Sequence, residues 1–104
     1  MKVEYAEELA QLCVQARSLI GHREYEACRE ALCEAMARFP DAPHPHNLMG
    51  ILLEQERNHP LAMRHFRAAI ALDPSYLPAG DNLQYYGTFL SAGRCAYDES
   101  DCRR

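Results

Sequence analysis

Tryptophan is absent, phenylalanine occurs only three times, and none of the 104 residues belong to an apolar run of bilayer-spanning length. A membrane helix needs about 20 apolar residues in succession, so no membrane partner is expected. The five glycines stand apart from one another, which leaves no glycine-rich loop to cradle a phosphate at the mouth of a helix. Basic residues are outnumbered, 11 against 15 acids for a formal charge of −4, and the longest basic feature is the pair Arg103 and Arg104. Such a balance repels a polyanion and two neighbouring charges release few counterions, so nucleic acid is not an expected partner. Met1-Lys2-Val3-Glu4-Tyr5 has an acid where a secretory signal carries its apolar region. Five cysteines are an odd number, at spacings unlike those of a small secreted scaffold. They read as free thiols in a reducing compartment, and a cytoplasmic location is expected.

What is present is a soluble-type composition, 48% hydrophobic and 25% charged, at a length that suits one core. Six prolines and five glycines lie mostly between apolar runs, the punctuation of short helices joined by turns. The strongest signal is an internal repeat. Cys28, Leu32, Ala35 and Pro40 recur as Ala62, Phe66, Ala69 and Pro74 at a constant shift of 34 residues, which also carries Ala16 to Gly50. Every pair keeps its size class.

This period and pattern resemble the tetratricopeptide repeat, a helix-turn-helix unit with small residues at close-packing points, an aromatic residue or Leu in the second helix, and a terminal Pro. Ala62, Phe66, Ala69 and Pro74 match the second-helix part in full, and Cys28, Leu32, Ala35 and Pro40 match it with conservative changes. Helices of adjacent layers cross closely there, and a larger side chain would force the backbones apart. A third unit begins in register from Tyr76 to Leu83, with Asn82-Leu83 where the family commonly has Asn-Leu. It then departs, with Gln84 at a small-residue position and Gly87 at a large one. The expected fold is an all-α superhelix of about five helices. It comprises repeats over about 9–42 and 43–76, a capping helix over about 77–92, and a loose tail over 93–104.

Apolar spacing places the first helix at about 4–20, buried through Leu9, Leu12, Ala16, Leu19 and Ile20. The second covers about 24–38, burying Tyr25, Cys28, Leu32, Ala35 and Phe39, and stops at Pro40. The third is expected at about 46–57 through Leu48, Ile51 and Leu52, after a Pro-rich turn over 41–45. The fourth starts near Pro60, tolerated in a first turn.

No catalytic set declares itself, since Ser18, Ser75, Ser91 and Ser100 have no motif around them. An enzyme is not expected, and neither is a cofactor. Cys28 and Cys33 lie five apart on one helix and point about 140° from each other, so they cannot share a metal. His44 and His46 flank Pro45, and Cys95 and Cys102 lie in the tail, at spacings that match no zinc signature. His59 and His65 read as surface residues.

The resemblance implies a protein-binding module or small adaptor, whose first helices line a concave groove for a peptide or partner helix. Carried onto this chain, that groove takes Cys13 and Arg17, then Asn47, Ile51 and Glu54, then Asp81, Tyr85 and Thr88. Glu54 and Asp81 favour a basic and apolar ligand over an acidic carboxyl terminus. Two repeats are fewer than the roughly three usual for a stable array, and Tyr85 with Phe89 offers an apolar patch for a homodimer. A self-assembling structural unit, and a thiol- or metal-responsive sensor using Cys95 and Cys102, remain the alternatives.

Overall fold

The computed structural model describes residues 3–87 and 95–102. Helices α1 (Val3–Gly21), α2 (Tyr25–Arg38), α3 (His44–Gln55), α4 (His59–Leu72) and α5 (Leu77–Gly87) are followed by a short 3₁₀ turn, Glu99–Asp101. No strand occurs among the described residues, so the class is all-α. No helix among them is long and apolar enough to cross a membrane. The last part of the expected capping helix, 88–92, lies outside the described residues.

One boundary differs from expectation. Helix α3 begins at His44 and takes in Pro45, which the sequence places in a turn. The first four N–H groups of a helix have no partner within it, so a proline there forfeits nothing. The Pro43 carbonyl already accepts from Asn47 N at 3.0 Å.

The connection between α1 and α2 recurs bond for bond between α3 and α4. His22 N donates to Ser18 O at 3.0 Å, and Glu56 N to Leu52 O at 3.1 Å. Arg23 N reaches Ile20 O and Arg57 N reaches Glu54 O, both at 3.0 Å, while Glu24 N→Leu19 O and Asn58 N→Leu53 O are both 2.8 Å. Arg23 and Arg57 have φ of 60° and 63°, the left-handed conformation that lets the chain reverse and satisfy these carbonyls. The opposite ends correspond too. Phe39 N→Ala35 O (2.8 Å) and Ala42 N→Phe39 O (3.1 Å) recur as Asp73 N→Ala69 O (3.0 Å) and Tyr76 N→Asp73 O (3.1 Å). Pro40 and Pro74 drive the preceding residue out of helical geometry: Phe39 has φ −127° and ψ 65°, and Asp73 is extended with φ −154° and ψ 96°.

Each helix packs on the next in sequence, and in addition α1 packs on α3 and α3 on α5. Helix α3 is therefore central. Pro45 and every residue from Asn47 to Leu53 are buried, as an element apolar nearly all round must be. Leu9, Leu12, Ala16, Ile20, Cys28, Leu32, Leu48, Ile51, Leu52, Ala62 and Phe66 form one core. Its tightest point is Gly50 against Phe66, where a Cβ on Gly50 would stand 2.7 Å from Phe66 Cδ1 and Cζ. Phe66 cannot yield, being fully buried and stacked on Tyr86 with centroids 5.7 Å apart. Burying a Phe side chain contributes about 1.5–3 kcal/mol, and here Gly50 makes the room for it.

Candidate functional site

Helices α1, α3 and α5 present side chains to residues 95–102, which were expected to be loose and are instead seated against all three. Asn47 on α3 and Asn82 on α5 are fully buried. A buried amide must have its donors and acceptor satisfied, and the two residues do this with each other and with the Ala96 backbone. Asn82 Nδ2 donates to Asn47 Oδ1 at 2.7 Å and to Ala96 O at 2.7 Å. Asn82 Oδ1 accepts from Ala96 N at 2.7 Å, and Asn47 Nδ2 donates to Ala96 O at 3.0 Å. One amide thus holds both main-chain groups of a single residue, as a neighbouring strand would. Ala96 is itself 1% exposed, so only a small side chain fits beneath the pair.

The other end of the segment is held by charge. Arg17 Nη2 on α1 bonds Asp101 Oδ2 and lies over the Tyr97 ring, with Cζ 4.7 Å from the centroid. Asp101 Oδ2 also accepts from Tyr97 N at 3.0 Å, and Asp98 Oδ1 from Ser100 N at 2.9 Å, which shapes the 3₁₀ turn. The Arg17 side chain is 48% exposed, so this pair is worth at most about 1 kcal/mol. Burial, and next the Cys95 thiol, push the Tyr86 and Tyr97 phenols above their ordinary range.

Cys13 is buried on α1, and burial pushes its thiol up to about 11, with Asp98 and Asp101 adding to the rise and the Tyr76 hydroxyl and Arg17 opposing it. Such a thiol stays protonated at neutral pH and is inert. Tyr76 is raised too, chiefly by burial. Its hydroxyl has no nitrogen or oxygen partner among the described residues, and its ring lies 4.3 Å from that of His44.

Of the residues expected to line a groove, Arg17 and Asn47 touch the segment directly. Cys13 and Ile51 are 1% and 0% exposed. They belong to the core rather than to an open groove wall. Glu54 meets His59 Nδ1 at 2.6 Å, which occupies it at the foot of α4. Asp81 is half-buried. Tyr85 is half-buried, with its ring edge-on to Tyr86 at 4.8 Å. Thr88 and Phe89 lie outside the described residues. The segment seated here is acidic, with Asp98, Glu99 and Asp101, and the Asp101 carboxylate meets Arg17. Asn82, Ala96 and Asp101 were not anticipated as contact residues. Asn82 had one legible signal, a polar residue at an otherwise apolar helical position.

Among the described residues no three His, Cys, Asp or Glu side chains gather as metal ligands. Cys95 and Cys102 are half-buried, and neither forms a disulfide among the described residues. No family model matches the chain, and no curated protein and no solved structure matches it.

Proposed function

We propose that this protein binds polypeptide, holding an extended segment by its main chain on the face made by α1, α3 and α5. The observation that carries this reading is the Asn82 amide bonded to both the N–H and the C=O of Ala96, with Asn47 as second donor. Main-chain recognition of this kind suits a module that takes a segment from another protein. The tetratricopeptide arrangement belongs to the same proposal. It is supported by the 34-residue recurrence of both turn types and by the close contact of Gly50 with Phe66. On this reading the protein is an adaptor without chemistry of its own.

The test is selection of a displayed random-peptide library on the full chain, followed by affinity measurements on the wild type and on Asn82→Ala. Enriched peptides should lose about tenfold or more in affinity on Asn82→Ala while helical circular dichroism is retained. Peptides that bind both forms equally would place the interaction on another surface, and failure to enrich any peptide would also count against the reading.

A further inference from the structure

The segment that fills the groove belongs to the chain itself, and the way it is held differs from the way the core is held. Ala96 is its one fully buried apolar residue. The remaining anchors are the half-buried Cys95 and Tyr97, which pack against the core, and the Asp101 carboxylate on an Arg17 side chain that is half open to water. Much of the segment's order is its own, through Asp98 to Ser100 and Asp101 to Tyr97. If it leaves, Asn82 Nδ2 and Asn47 Oδ1 still satisfy each other, and α5 keeps its packing on α3 and α4. The receiving surface is built without the segment and completed by it.

We propose that residues 95–102 are an internal competitor, sitting where a ligand sits. The ligand they yield to is a polypeptide segment with the same pattern: a small residue, an aromatic residue next to it, and a carboxylate four positions after the aromatic. The inference rests on the polypeptide-binding reading. The small residue follows from the space under Asn47 and Asn82, and the two amides read only main chain there, so the rest of the sequence is free. The aromatic and the carboxylate follow from Arg17, whose guanidinium meets the Tyr97 face and Asp101 together.

A fluorescein-labelled peptide of residues 95–102, with Ser at both cysteine positions, tests this against the full chain. Ala96→Arg in the full chain places a large side chain where only a methyl group fits and should release the segment. The peptide should bind this variant about tenfold or more tightly than the wild type, and should lose most of that gain when Asn82→Ala is added. Peptides carrying Tyr97→Ala or Asp101→Asn should bind the variant at least about threefold more weakly. Should Ala96→Arg unfold the protein, Asp101→Asn in the full chain, which alters only contacts near the surface, should raise peptide affinity about threefold. Equal binding by the wild type and a folded variant overturns the proposal, and so does no gain with Asp101→Asn. A wild-type dimer that becomes monomeric with Ala96→Arg would put the segment in another copy's groove and overturn it as well. Library peptides that depend on Asn82 while the 95–102 peptide gains nothing would sink the competitor and leave polypeptide binding standing. If no peptide binds any form through Asn82, both fail.

Discussion

Arg23 and Arg57, 34 residues apart, hold the same left-handed backbone, with φ of 60° and 63°. Each follows a helix and donates its N–H to the carbonyl three residues back. Left-handed geometry costs a side-chain-bearing residue about 1–2 kcal/mol, and glycine escapes that cost while losing more entropy on folding. Arg57→Gly is therefore expected to leave stability unchanged or raise it by up to about 1 kcal/mol. Arg64→Gly, in the exposed middle of α4, should lower it by about 1 kcal/mol. Urea denaturation of the two variants gives the comparison, and equal losses would contradict the shared turn.

Gly50→Ala gains helix propensity but drives a methyl group into the Phe66 ring. The ring is enclosed, so the overpacking should dominate, with a net loss of about 1–3 kcal/mol. Adding Phe66→Leu should recover part of it, with a coupling of at least about 0.5 kcal/mol in a double-mutant cycle. Strictly additive losses would show that the two side chains do not oppose each other.

Asn82→Ala strips partners from Asn47 and from both main-chain groups of Ala96. Each buried group left unsatisfied costs about 1–3 kcal/mol, and release of the segment into water relieves part of it. Asn82→Asp should be the worse change, because an oxygen replaces Nδ2 against two acceptor oxygens. Melting temperatures in the order wild type, Ala, Asp check this, and Asp at or above Ala would contradict the hydrogen-bond assignment.

His46 Nδ1 and His65 Nδ1 lie 3.1 Å apart, an arrangement with room for one proton between them. Burial lowers the affinity of both rings for a further proton, and His46 lowers that of His65 again. The unfolded chain, with histidines near 6.5, binds more protons than the folded one below that pH. Stability from this pair is thus complete above about pH 6.5 and is lost as the pH falls toward the depressed folded values. Burial of His44 acts in the same direction. Urea midpoints should fall between about pH 8 and pH 5, and His65→Gln should flatten the slope. An unchanged slope in that variant would remove the pair as its source.

The helices were legible because their signals are local. Leu9, Leu12 and Ala16 lie on one helical face, and Pro40 and Pro74 stop helices whatever surrounds them. Position 45 misled because proline was taken as a breaker, when the first turn of α3 has no use for its missing N–H. The turns at Arg23 and Arg57 gave no warning, since the residue expected at positive φ is glycine. Of the site, Arg17 and Asn47 could be placed from the repeat register. Their occupant could not. Asn82 meets the main chain of Ala96, and main-chain atoms are the same in every sequence, so no residue pattern announces that contact.

Ala96 stands only 14 positions beyond Asn82 in the same chain. On the proposed reading, that short link sets the terms on which an outside segment enters. A short connection of this kind keeps its cargo at a local concentration on the order of millimolar. A rival arriving from solution at micromolar levels therefore starts about a thousandfold behind, even with identical contacts. Its apparent affinity is reduced by the fraction of chains whose groove stands vacant. Partners equal to the task are those that grip a second place on the molecule, or that are themselves concentrated beside it in an assembly.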